Sequence, residues 1–347
     1  MRILAFSMLA LAAAALPGQT VAVPGAQPPV TGPVYWSTTA PDCTSLAGES
    51  AVAITGASGT VGYSCYVSGT FVWLAAGGGW STAIRVAAPA SAPVGVDYSF
   101  YDGSGNDLQL DSTAGGAAAV SGDDVNFALA ANQPAEVDLL GATSGAPKYA
   151  STTTGSVYAV FYCPDAATCA NVFPQLLYSA LPGMPWALSV PIAWDTAVTT
   201  DWSAVGVDDG GAHRVSLVVY NEDIAATSYK IDVFDSTGKL ATSGTTPSIP
   251  PLQSLAGGAY GEGGTYAAML SDVVTGALPS GPFKILVDGG SIYSAVEVLQ
   301  FNGASATALQ VGFDSQPDLT SSAAERRANL RRSRVASRPK TVFRVLP

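Results

Sequence analysis

Val96-Asp97-Tyr98-Ser99-Phe100-Tyr101-Asp102-Gly103-Ser104-Gly105 and Tyr229-Lys230-Ile231-Asp232-Val233-Phe234-Asp235-Ser236-Thr237-Gly238 are the stretches that decide how this chain folds. Apolar residues alternate in each: Val96, Tyr98 and Phe100 in the first, Tyr229, Ile231 and Val233 in the second. A period of two sets such residues on one face of a strand, the pattern of a sheet with one side buried. Each run then closes on Asp and Gly. An Asp side chain can hold the N–H groups of a turn, and Gly accepts positive φ, so both runs predict a strand ending in a hairpin turn.

The two runs are copies of one pattern. Thr82–Val86 leads into the first and Val215–Val219 into the second, and residues 84, 100 and 102 map onto 217, 233 and 235, each 133 positions later. Farther along, Gly155-Ser156-Val157-Tyr158-Ala159 matches Gly290-Ser291-Ile292-Tyr293-Ser294 at an offset of 135. More strands are predicted at Val125–Leu129, Ala135–Leu139, Val157–Tyr162, Tyr266–Leu270, Phe283–Val287 and Ile292–Phe301. That supply suits an antiparallel β-sandwich in each copy.

Composition agrees. Of 347 residues, 48% are apolar and only 12% charged, and Gly (37) and Pro (23) interrupt the chain throughout. Disordered chains are richer in charge and poorer in aromatics, and long helical arrays do not tolerate so many breakers. The fold class is therefore all-β, as two tandem sandwiches. The first spans 23–175 and includes N-terminal strands, the second spans 176–314, and a basic disordered tail runs over 315–347.

Phe71-Val72-Trp73-Leu74-Ala75-Ala76-Gly77-Gly78-Gly79-Trp80-Ser81-Thr82, followed by Phe100–Asn106, resembles a repeat of uncharacterised secreted bacterial proteins. The second copy resembles it through Val219-Tyr220-Asn221, Val233–Gly238 and Leu299-Gln300-Phe301-Asn302-Gly303. The resemblance covers roughly residues 70–312 and implies tandem immunoglobulin-like β-sandwiches. It carries over no activity and no functional residue.

The N-terminus reads as an export signal. Arg2 precedes an apolar run from Ile3 to Leu16, Pro17-Gly18 breaks it, and Thr20-Val21-Ala22 offers small residues for cleavage after Ala22. Fourteen residues fall short of the roughly 20 that a spanning helix needs. A second uncharged run, Ala166–Trp194, is broken by Pro174, Pro182, Pro185 and Pro191, so no transmembrane span is expected. In an oxidising compartment Cys43 is expected to pair with Cys65 and Cys163 with Cys169; a zinc site would lack any Cys-x-x-Cys spacing.

Charge is divided. Residues 323–347 carry eight basic groups against Glu325, a net of +7, and leave the remainder with 7 basic and 25 acidic groups, a net of −18. An acidic body repels nucleic acid. In the tail Arg327, Arg331, Arg334 and Arg338 follow at spacings of 4, 3 and 4, one basic stripe if helical. An anionic envelope polymer or polysaccharide is the partner class that this tail would attract.

Catalytic sets are sparse. His213 is the single histidine and no Gly-x-Ser-x-Gly elbow occurs. Asp102 with Asn106 and Asp107, Asp123 with Asp124, and Asp208 with Asp209 have the oxygens for calcium, yet Lys239 stands where the second copy would need the counterpart of Asn106. No metal, cofactor or enzymatic activity is expected. Trp80, Trp194 and Trp202 are the candidate ligand-binding residues, because exposed aromatics on a sandwich can stack on sugar rings; the alternative use is packing at the ends of each copy. The expected function is a non-catalytic secreted or cell-surface module for adhesion or envelope structure, with a carbohydrate-binding module as the alternative and a hydrolase behind both.

Overall fold

A computed structural model describes residues 36–46, 51–55, 61–77, 80–114, 120–139, 142–143, 146–147, 152–180, 187–194, 201–254, 261–288, 294–302, 305–309, 311–313 and 344–345. Among them the chain is all-β, with two one-turn helices at Ala166–Cys169 and Leu270–Val273. No helix among the described residues is long and apolar enough to cross a membrane.

Four main sheets hold the described strands apart from the short pair Ala142–Thr143 and Ala146–Pro147. The first runs Val52–Thr55, Val61–Ala76, Thr153–Cys163, Val94–Asp102, Asp124–Leu129 in hydrogen-bonded order, and Ala193–Trp194 also pairs with Val61–Ala76. The second runs Ala187–Pro191, Gln175–Ala180, Trp80–Ala87, Pro134–Leu139, Leu110–Ala114, Val120–Gly122. The third is Leu240–Thr245, Lys230–Phe234, Phe283–Asp288, Asp201–Gly206, Gly312–Phe313, and the fourth Thr265–Met269, His213–Asn221, Ser294–Asn302, Ser305–Leu309.

Alternation decides what each sheet buries. Val96, Tyr98, Phe100, Val157 and Phe161 of the first sheet meet Ile84, Val86, Val137, Leu139 and Leu176 of the second in one core. Ile231, Val233, Ile285 and Val287 of the third meet Val215, Leu217, Val219 and Val298 of the fourth in another. Each fully buried side chain of this size contributes about 1.5–3 kcal/mol by leaving water. The alternating residues of both quoted stretches lie on these inner faces.

The two pairs of sheets share their wiring. Val61–Ala76, Thr153–Cys163, Val94–Asp102 and Asp124–Leu129 stand in the same order as Asp201–Gly206, Phe283–Asp288, Lys230–Phe234 and Leu240–Thr245. Ala187–Pro191, Gln175–Ala180, Trp80–Ala87 and Pro134–Leu139 match Ser305–Leu309, Ser294–Asn302, His213–Asn221 and Thr265–Met269. Cross-strand register dates the drift between them. Ile84 pairs with Leu176 and Leu217 with Val298, so an offset of 133 between residues 84 and 217 has shrunk to 122 between 176 and 298.

Three sequence expectations change here. Thr153–Cys163 is equivalent to Phe283–Asp288, not to the segment beginning at Gly290, because both lie between the same two neighbours. The boundary expected near residue 175 falls inside the first pair of sheets: Gln175–Ala180 pairs with Trp80–Ala87, and its Leu176 and Tyr178 are core residues. Pro174 precedes Gln175–Ala180 and Pro191 ends Ala187–Pro191, so neither interrupts a ladder, while Pro182 and Pro185 lie outside the described residues. Finally, Arg344–Val345 is not free tail but a strand added parallel to Phe127–Ala128. Arg327, Arg331, Arg334, Arg338 and residues 1–22, where an export signal is expected, lie outside the described residues.

Two disulfides, Cys43–Cys65 and Cys163–Cys169, join sequence neighbours. Cys65 and Cys163 are cross-strand partners, so both bonds anchor at one point of the first sheet. One holds the N-terminal segment there, and the other holds the Ala166–Cys169 helix.

The two Asp-Gly turns are built alike and used differently. Asp102 Oδ1 accepts from Ser104 N and Asn106 N, and Asp235 Oδ1 from Thr237 N and Lys239 N. Gly105 and Gly238 take φ of 82° and 83°. Gly238 faces open space, whereas a Cβ at Gly105 would stand 2.5 Å from the Glu262 carbonyl oxygen. The first turn is docked on the second pair of sheets: Thr265 N donates to Gly103 O at 3.0 Å and Gln253 Nε2 to Asn106 Oδ1 at 2.8 Å. Gly238→Ala should therefore cost about 1 kcal/mol, the strain of positive φ alone. Gly105→Ala should cost roughly twice that or more, since the added methyl meets backbone. Equal losses in paired urea titrations would show that the docking is absent in solution.

Candidate functional site

Ser294–Asn302 has an acid in the middle of an apolar run, Ser294-Ala295-Val296-Glu297-Val298-Leu299. It pairs on both edges, with His213–Asn221 and Ser305–Leu309, and residues 294–299 are buried. Val296 and Val298 enter the second core. Ala295, Glu297 and Leu299 alternate with them and so face the other way, toward the first pair of sheets. There Val72 packs with Val218, Tyr220 and Ala295, and Leu299 and Ala306 join the first core.

A half-open cleft of about 440 Å³ lies along this junction. Strand Val61–Ala76 contributes Thr70 and Val72, the segment 189–194 contributes Ser189, Val190, Ile192, Ala193 and Trp194, and Trp202 comes from the third sheet. Val296, Glu297, Ala308, Leu309 and Val311 complete the wall. Glu297 is the one ionisable side chain among them.

Glu297 is 5% exposed, and neither carboxylate oxygen has a hydrogen-bond partner. The Thr70 hydroxyl in the same wall is likewise buried and unpartnered. A charged carboxylate without a partner is costly in such surroundings, so burial pushes the Glu297 carboxyl up to about 8. The phenol of Tyr178 is raised well above its usual range, first by burial and then by the negative charge of Glu297. At neutral pH the cleft thus presents a protonated acid. It can donate a hydrogen bond as it stands, or hold a cation once ionised.

The three candidate tryptophans divide. Trp194 and Trp202 come together on this cleft, Trp194 packed edge-on against Phe161 at 6.0 Å and Trp202 donating Nε1–H to Ser294 Oγ at 3.0 Å. Trp80 lies elsewhere, edge-on to Trp73 at 5.3 Å and to Tyr178 at 6.4 Å. Trp80 and Trp194 are half-buried and Trp202 is buried, so no exposed row of rings forms. Tryptophan at strand ends is visible in sequence, but which ends meet across the junction is not.

The remaining polar candidates serve turns. His213 Nδ1 lies 2.9 Å from Asp209 Oδ2, and that hydrogen bond, with two from backbone N–H groups, holds the Asp209 carboxyl down to about 2. Asp208 accepts from Gly210 N and Val215 N. Asp102 binds the amides of its own turn, as above, and Asp124 accepts from Asn126 Nδ2. These oxygens already have local donors. Glu297 was missed by motif reading because an isolated acid matches no catalytic pattern; the signal available was a charge inside an otherwise apolar strand.

Because the folded carboxyl titrates near 8 against an ordinary 4.5, its contribution has a definite sign. The proton stabilises the fold fully below the ordinary value, and that stability is lost as pH rises through about 8. The melting temperature of the unmodified protein should decline between pH 5 and pH 8, and Glu297→Gln should flatten that decline. Parallel pH profiles for the two proteins would overturn the assignment of a buried, unpaired acid. No protein-family model matches this chain and no curated protein matches it, so the chemistry of the cleft is taken from these residues.

Proposed function

We propose that the chain is a non-catalytic module, secreted or held on the outer side of a cell envelope (the periplasm included), and that it acts in adhesion or envelope structure. On this reading the two pairs of sheets are two immunoglobulin-like β-sandwiches in series. What supports it is what the two pairs hold in common. They share strand order and the Asp-Gly hairpin, but among the described residues they share no polar cluster that could serve as a duplicated active site. The retained property is a framework. Two disulfides suit an oxidising compartment.

The junction favours a stiff unit over two beads on a string. Val72, Val218, Tyr220 and Ala295 form an apolar contact between the pairs, and the docked turn at Asp102–Asn106 adds a second, polar one. Two separate contacts resist hinge motion better than one. The basic residues of the C-terminal segment supply an attraction for anionic polysaccharide that salt would screen within about 8 Å at physiological strength.

Carbohydrate binding remains the second reading, because Trp194 and Trp202 line one cleft. A glycan panel tests both. The full-length protein should co-sediment with anionic envelope polysaccharide at low salt and release it near physiological salt, with no change in tryptophan emission and no glycan turnover. A saturable emission change abolished by Trp194→Ala would favour carbohydrate recognition. Turnover abolished by Asp201→Asn would instead make the protein a hydrolase.

A further inference from the structure

The junction cleft has a composition that selects for charge. Among the described residues its one ionisable side chain is acidic, no Lys, Arg or His lines it, and the rest of the wall is mostly hydrocarbon and indole. Two polar side chains in that wall, Glu297 and Thr70, are each more than nine-tenths buried and carry oxygens without partners. Native interiors rarely leave such atoms unsatisfied, and a bound molecule is one of the few things that would satisfy them. At about 440 Å³ the cleft falls in the usual size range of small-molecule sites, roughly 300–1,000 Å³.

We propose that this cleft binds a small apolar amine, a hydrocarbon group carrying one ammonium whose N–H donors meet the Glu297 carboxylate and the Thr70 hydroxyl. An ammonium offers three donors and no acceptor, and these two groups offer acceptors. Val72, Ile192, Val296 and Leu309 cover the hydrocarbon part, and the indoles of Trp194 and Trp202 are the side chains best suited to lie beside a cation. An anion would meet the acid with no counter-charge in the wall. A neutral alcohol would fill the space but leave the carboxyl un-ionised.

Binding has a proton balance that sets it apart from simple cavity filling. Before binding the carboxyl is protonated at neutral pH. The incoming ammonium favours the carboxylate, so the acid's O–H bond breaks, its proton passes to solvent, and the ion pair forms. Among the described residues Tyr178 is the other titratable group that feels Glu297, and it stays protonated throughout because its own range is shifted upward. Among them the strands facing Glu297 bring no further titratable side chain to the wall of the cleft. The acidic body, net −18 outside the C-terminal segment, adds a long-range pull on cations that salt weakens.

The experiment uses the full-length protein with cyclohexylamine, cyclohexanol and cyclohexanecarboxylate as probes of one shape and three charges. Tryptophan emission at pH 6.5 should titrate saturably with the amine, about tenfold more weakly with the alcohol, and not at all with the carboxylate. Calorimetry in buffers of different ionisation enthalpy should show close to one proton released per amine bound. Glu297→Gln should abolish both the amine preference and the proton release. Equal affinity for amine and alcohol, binding of the carboxylate, absence of proton release or absence of saturation would each overturn the proposal. The ranking in the unmodified protein decides even if the variant folds poorly. Silence toward glycans would leave this test unaffected, so the two readings fail separately.

Discussion

Strand Ser294–Asn302 must be buried on both faces, and much of the molecule follows from that constraint. One face completes the second core through Val296 and Val298; the other supplies Ala295 and Leu299 to the contact with the first pair of sheets. A strand in an antiparallel sheet ordinarily turns one side to water. Here the water side is lost: Val218 and Tyr220 lie beside Glu297 and Ala295 on the same outer face, and Val72 of the first sheet closes over it. Any residue on that outer face must be apolar or must find a partner. Glu297 is neither, which makes the junction the one place where the described structure holds an ionisable group without compensation on both of its oxygens.

The repeated wiring explains how such a junction can arise. Two copies of one strand order would each be complete alone, and nothing in the shared pattern calls for contact between them. Differences between the copies create it. In the first copy the hairpin at Asp102 leads into Leu110–Ala114 and Val120–Gly122, which extend the second sheet, whereas in the second copy Phe234 returns directly to Leu240. The same Asp-Gly turn that stands free at Gly238 is pressed against Glu262 at Gly105. Glu262 is itself fixed by the Tyr220 hydroxyl, and Tyr220 belongs to the apolar contact. Turn, buried acid and apolar patch are thus parts of one junction.

How much of this was legible depended on range in sequence. Strands and their inward faces were readable at Val96–Phe100 and Tyr229–Val233, because period-two alternation is a local signal. The hairpin turns were readable for the same reason, down to Asp capping and glycine at positive φ. Cysteine pairing between neighbours followed from economy and agrees with the bonds formed. The match between Gly155–Ala159 and Gly290–Ser294 misled, since similar short strands recur and only cross-strand pairing says which neighbours each one has. The end of the first pair of sheets was misplaced because prolines at strand ends look, in sequence, like a linker. Trp194 and Trp202 were visible as candidates, but their meeting needed the third dimension. Glu297 had a local signal, a charge between Val296 and Val298, that only burial could interpret.

A buried acid at the junction of two repeated units bears on what kind of protein this is. If the chain served only as a framework, an apolar residue at position 297 would pack against Val218 at less cost, since a buried polar group left without a hydrogen bond is itself destabilising. Packing does not need the acid, and no hydrogen bond repays it. A cost of this kind persists where something other than the isolated fold draws on it. The two readings then coexist by position. On the proposed readings the duplicated strands supply the framework, and the junction, which exists once, supplies the binding chemistry.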